Sequence, residues 1–241
     1  MRRYPEADEI YARALSIEPG NALEKVNRAD LAFSWKADTT ELRRAIDAIR
    51  ATNPGLIREV ADRWVACALA DRDPVVLKAA LIAAGDNTPL NNDAVHFNRP
   101  FVEGWIARLE KDEPRARIAF ESARAEQEKI VRAQPDYAPP LCVLGAIDAM
   151  LGRKEDALNE AGRAVELLPV EKDGFNGQMI LQWYAISAAW VGEKDRAIEQ
   201  LTRAIRSQGW VSYGGLKLLP FWDPLRDDPR FEALVATLAP K

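Results

Sequence analysis

Six aliphatic residues, Ala7, Leu42, Leu77, Ala116, Ala157 and Ala197, recur at intervals of 35, 35, 39, 41 and 40 residues. A near-constant period of this length marks a chain built by stacking one supersecondary unit on the next, each unit covering the apolar face its neighbour leaves open. Apolar residues return every three to four positions around each anchor, the period of a helix with one buried face. A second stretch with the same period lies between successive anchors, so the repeating unit reads as two helices joined by a short turn.

The clearest unit spans 138–169. Its first helix carries Leu141, Leu144, Gly145 and Asp148, and its turn is Leu151-Gly152-Arg153-Lys154. Its second helix carries Ala157, Ala161 and Ala164 and stops at Pro169. Gly145 and Ala157 are small enough for two helices to approach closely. Gly152 can take the positive φ that closes a helix, and Pro169 cannot continue one. Units with the same grammar occupy 21–54, 56–89, 94–135 and 171–207. Asp73-Pro74 supplies a cap and first helical residue, and Gln127 and Ile130 extend the second helix of unit 94–135. Ala7, Tyr11, Ala14 and Pro19 have the spacing of a second helix with its exit proline but no partner helix, which suggests that something precedes the chain.

These residues resemble the tetratricopeptide-repeat family. The match rests on Leu141, Leu144, Gly145, Ala157, Ala164 and Pro169, with departures at Asp148, where Tyr is usual, and at Ala161, where a bulkier residue is usual. More narrowly, Leu151-Gly-Arg-Lys-Glu-Asp-Ala157 and Trp222-Asp-Pro-Leu-Arg-Asp-Asp-Pro-Arg-Phe231 resemble the C-terminal repeat region of bacterial winged-helix or serine/threonine-kinase regulators. The resemblance implies an all-α, right-handed α-solenoid of antiparallel helix pairs over residues 1–207, its first unit incomplete. Residues 208–241 then form a C-terminal loop and capping helix, with Phe221, Trp222, Leu225 and Phe231 as the plug over the last apolar face. The expected setting is the cytoplasm, or the periplasm if the chain belongs to a membrane-spanning regulator.

Signatures of chemistry are missing. Phosphate-loop, dinucleotide and kinase patterns, the Gly-x-Ser-x-Gly elbow and paired metal-ligand spacings do not occur. His96 is the one histidine. Cys67 and Cys142 sit inside apolar helical pattern and read as buried free thiols. No enzyme, cofactor or metal site is expected. A net charge of −4 without a basic cluster disfavours nucleic acid, and no apolar run has membrane-spanning length.

A binding scaffold is the reading that remains, with a protein or peptide as partner. If the first helices line a concave face, helical spacing points Asn27, Leu31 and Trp35; Phe101, Trp105 and Arg108; Cys142, Ala146 and Met150; and Gln182, Ile186 and Trp190 toward a groove. The same side chains would alternatively pack between helices of adjacent units. A chaperone-type clamp for a C-terminal carboxylate is disfavoured, because acidic Glu59 and Asp62 stand where cations are needed. Two other readings compete. In one, a small-ligand sensor with a closed pocket around Trp105, Met150 and Trp190 controls an N-terminal effector domain. In the other, the array serves self-association.

Overall fold

The computed structural model describes residues 3–85, 90–92, 94–207, 209 and 211–240. The exit proline expected at Pro89 lies outside them. Among the described residues the regular elements are helical apart from one short antiparallel hairpin, Leu90–Asn92 (β1) with Val95–Phe97 (β2), in which Leu90 pairs with Phe97. Among the described residues no helix is long and apolar enough to cross a membrane.

The chain forms two compact units. The first comprises Met1–Pro89, Ser212–Pro220 and Val235–Lys241. It contains α1 (Tyr4–Ile17), α2 (Ala22–Lys36), α3 (Thr40–Thr52), a 3-10 segment (Pro54–Val60), α4 (Ala61–Ala70) and α5 (Pro74–Ala84). The second comprises Leu90–Val211 and Phe221–Leu234. It holds the hairpin and three helix pairs: α6 (Arg99–Leu109) with α7 (Glu113–Ala133), α8 (Ala138–Met150) with α9 (Lys154–Leu167), and α10 (Asn176–Trp190) with α11 (Lys194–Arg206). The short α12 (Tyr213–Leu218) packs on α2 within the first unit, where Gly214 lies so close to the Phe33 carbonyl that an added Cβ would fall 1.7 Å from its oxygen. The last helix is α13 (Pro229–Thr237).

The periodic anchors are core positions. Leu42, Leu77, Ala116, Ala157 and Ala197 are each fully buried, and Ala7 is half-buried on α1, a helix with no fully buried residue. The turn before each of the five buried anchors repeats as well. Ala37, Arg72, Lys111, Gly152 and Gly192, each five residues upstream of its anchor, have φ of 56°, 54°, 62°, 74° and 82°. In the last four turns, the next N–H returns to the carbonyl five residues back: Asp73 to Ala68, Asp112 to Ala107, Arg153 to Asp148 and Glu193 to Ala188, at 2.8–3.0 Å. That is the left-handed closure that satisfies a helix's last carbonyls. Asp73 and Asp112 then cap the following helices by accepting backbone N–H groups.

Within pairs, small residues set the approach. A Cβ on Gly145 would sit 3.0 Å from the backbone of Ala157 and Ala161, which explains why a bulkier residue does not stand at Ala161. Gly104 gives the same room to the Phe120 ring. The long α7 keeps its buried face as far as Gln127, whose amide donates to the Pro140 carbonyl at 2.9 Å.

Candidate functional site

Phe101, Trp105, Arg108, Met150 and Trp190 come together inside the second unit. Phe101 and Trp105 are buried, their rings edge-to-face at 6.5 Å. The Arg108 guanidinium lies over the rings of Trp190, Phe120 and Trp105, 4.8–5.6 Å from their centroids, and donates to the Met150 carbonyl at 3.2 Å. The C-terminal segment closes the cluster. The Phe221 ring stands 4.9 Å from that of Trp105 and 5.1 Å from that of Trp183, and its carbonyl accepts from Trp190 Nε1 at 2.9 Å. The space among Trp105, Met150 and Trp190 therefore holds protein: a guanidinium and a phenyl ring. Cys142 and Ile186 are buried and Gln182 is half-buried. Burial pushes the thiols of both Cys142 and Cys67 up, Cys67 to about 12, so neither is a ready nucleophile. His96 lies exposed on β2.

A second polar cluster centres on Asp148, at the position where the repeat pattern expects Tyr. Asp148 is buried and accepts from Arg124 Nε at 2.6 Å, with Arg153 Nε at 3.6 Å. Arg124 also pairs with Glu128, and Arg153 with Glu121. Glu160 of α9 faces Asp148. Desolvation first, then the Asp148 charge, pushes the Glu160 carboxyl up to about 9. Asp148 Oδ2 and Glu160 Oε2 are the two buried oxygens of this cluster without another partner, which fits one proton held between the two carboxyls. The guanidinium partners make the cluster a structural ion network between α7, α8 and α9.

Open space lies in the first unit. A trough of about 730 Å³ runs between α1 and α3 with α2 as its floor. Trp35 and Leu31, both expected at a groove, line it; Asn27, one turn away and half-buried, does not. Alanines form much of the surface, Ala22, Ala29 and Ala32 on α2 and Ala45 and Ala48 on α3. At one end Tyr4 stacks on Trp35 with ring centroids 6.0 Å apart, and Lys36 Nζ sits 4.7 Å over the indole. Four cations and two carboxylates surround the opening. Arg28 grips Asp8 with two hydrogen bonds, at 2.7 and 3.2 Å, which hold the Asp8 carboxyl below its usual range. Arg44 pairs with Glu41 at 2.6 Å. Lys25 and Lys36, both exposed, have no carboxylate within ion-pair distance among the described residues. Trp35, expected at a groove, stands partly exposed on α2. The trough itself is not legible in the sequence, because its signal, a run of alanines, is also the signal of tight packing.

No protein-family model matches the chain, and neither does any curated protein or solved structure.

Proposed function

We propose that this chain is a right-handed tetratricopeptide-like array that serves as a protein-interaction scaffold, the repeat region of a larger bacterial regulator acting in the cytoplasm. The observation that carries the proposal is the trough on α2. While α8 packs on α9 through Gly145 and Ala161 and the second unit closes around the Phe101–Trp105 core, this stretch of helix surface is left open, lined with alkyl groups and a tryptophan and rimmed with cations. Trp and Arg beside small residues make the kind of concave surface on which a partner's side chains find both contact area and polar anchors. The small-ligand reading needs a closed pocket around Trp105, Met150 and Trp190, and Arg108 and Phe221 fill that space.

The test uses the immobilised full chain beside Ala48→Tyr, in which an exposed residue of the trough is enlarged without touching the core. Both are exposed to a bacterial lysate, and the retained proteins are quantified by mass spectrometry. The scaffold reading expects at least one protein held by the parent and depleted on Ala48→Tyr. Equal retention on both would sink it.

A further inference from the structure

The five αL turn residues put the helix pairs in register, and the register shows how the trough arises. Eight residues before the turn stand Ala29, Trp64, Glu103, Leu144 and Tyr184. Only the first pair has a methyl group there. In the last pair Tyr184 reaches across from α10: its hydroxyl lies 3.7 Å from where a Cβ on Gly162 of α9 would be, and Arg196 of α11 donates to it at 3.4 Å. That tyrosine fills the space between α9 and α11 that Ala29 leaves empty between α1 and α3. The second helix follows suit. Eight and eleven residues after the turn, α9 carries Glu160 and Arg163 and α11 carries Gln200 and Arg203, whereas α3 carries Ala45 and Ala48; α5 (Ala80, Ala83) and α7 (Ala119, Ser122) are also small there, but their partner helices carry Trp64 and Glu103 at the floor position. Floor and wall are both cut down to methyl groups in the same pair.

The rim and the tryptophan say what fits. Trp35 stands two residues before its turn, the position of Trp190 in the last pair. Trp190 donates its indole N–H to the Phe221 carbonyl of the C-terminal segment. Trp35 lacks a C-terminal segment of this kind; Tyr4 stacks on one end of it, and the indole, like that of Trp190, stays partly exposed. Beside it the carboxylates of Asp8 and Glu41 are taken by Arg28 and Arg44, so the charge left over comes from Lys25 and Lys36. An apolar trough with two exposed ammonium groups on its lip, neither in an ion pair among the described residues and one lying over the Trp35 ring, is complementary to apolar side chains flanked by carboxylates.

Resting on the scaffold reading, we propose that the trough docks an acidic amphipathic segment of a partner protein. Its apolar and aromatic side chains seat on Ala32, Ala48, Leu31 and Trp35, and its carboxylates meet Lys25 and Lys36. Two ammonium groups at an exposed rim add modest affinity but set sign preference and a salt dependence.

The experiment is selection of a displayed random-peptide library on the immobilised full chain, followed by fluorescence anisotropy of the leading peptide. Peptides enriched in Asp or Glu together with Leu, Phe or Trp are expected. Ala48→Tyr and the double change Lys25→Glu/Lys36→Glu, each confirmed folded by circular dichroism, should weaken binding about tenfold or more. The double variant should in turn prefer a peptide whose acids are replaced by Lys. Neutral or basic winners, unchanged affinity in both variants, or no enrichment at all would overturn the assignment of partner chemistry. The lysate experiment decides the scaffold reading separately, since a folded partner retained there need not present a linear peptide. A concentration-dependent dimer abolished by Ala48→Tyr would also overturn the proposal, by naming a second copy of the chain as the occupant.

Discussion

Lys111 holds a φ of 62°, a conformation that costs an L residue about 1–2 kcal/mol and that glycine takes freely. Gly152 performs the same turn with nothing within 4 Å of where its Cβ would be, so its value there is purely conformational. Lys111→Gly is expected to raise Tm by a few degrees and Gly152→Ala to lower it by a similar amount, about 1 kcal/mol in each direction, read by thermal denaturation. The two glycine turns were legible in the sequence. Those at Ala37, Arg72 and Lys111 were not, because no glycine announces them and only the spacing to Leu42, Leu77 and Ala116 gives them away. Asp148 was legible as a departure from the repeat pattern, but its company was not, since Arg124, Arg153 and Glu160 come from three different stretches of chain. Glu160 offers a pH test. Its ordinary carboxyl pKa is 4.5 and burial raises it to about 9, so across that window the folded chain holds a proton that the unfolded chain has lost. The stabilisation is complete below pH 4.5 and is lost as pH rises through 9. Glu160→Gln keeps the neutral shape and removes the titration. Between pH 5 and 9 the parent's Tm should therefore fall by several degrees more than the variant's, and parallel Tm profiles would contradict the shared proton.

At the scale of the element, helix ends were the easiest feature to read. The helices α1, α3, α7 and α9 stop at Ile17, Thr52, Ala133 and Leu167, each two residues before a proline: Pro19, Pro54, Pro135 and Pro169. The facing of the first helices was harder. A helix in the middle of an array touches neighbours on several sides, so its apolar residues carry little directional information; α8 is buried along its entire length. Phe101 and Trp105 fit a groove by spacing as well as they fit a core, and the decisive fact, that Phe221 lies against Trp105, depends on a residue more than a hundred positions away. The hairpin Leu90–Phe97 also escaped the helical pattern, its strands being three residues each. The fit of α6 on α7 gives a prediction at this scale. A Cβ on Gly104 would stand 2.4 Å from the Phe120 ring, which is fully buried and edge-on to Phe101 and Trp105. Gly104→Ala must displace that ring and should cost about 1–3 kcal/mol by chemical denaturation, despite alanine's better helix propensity.

At the scale of the whole chain, the residues after Val211 are divided between the units. Ser212–Pro220 belongs to the first, where α12 lies on α2, and Phe221–Leu234 belongs to the second, where Phe221, Trp222, Leu225 and Phe231 are all buried. Burial of side chains of this size is worth about 1.5–3 kcal/mol each. Deleting 212–241 should therefore lower Tm by well over 10 °C and open both units to a hydrophobic dye such as ANS, with the tryptophan emission of the Trp105–Trp190 core shifting to the red. Loss confined to one unit's signals would show that the other does not need its share of the segment.

That division has a consequence for the order of events at the ribosome. A chain usually completes its N-terminal portion while the rest is still being made, at roughly 5–20 residues per second. Here the cover of α2 is encoded after Val211, behind most of the second unit, so the nascent first unit waits, with that face bare, until Ser212–Pro220 has left the exit tunnel, and is complete only with Val235–Lys241. The second unit waits for Phe221 in turn. Both units are finished by adjoining stretches of one C-terminal segment, 212–241, and a translational pause or a premature stop anywhere upstream of it leaves two unfinished bodies rather than one finished and one absent.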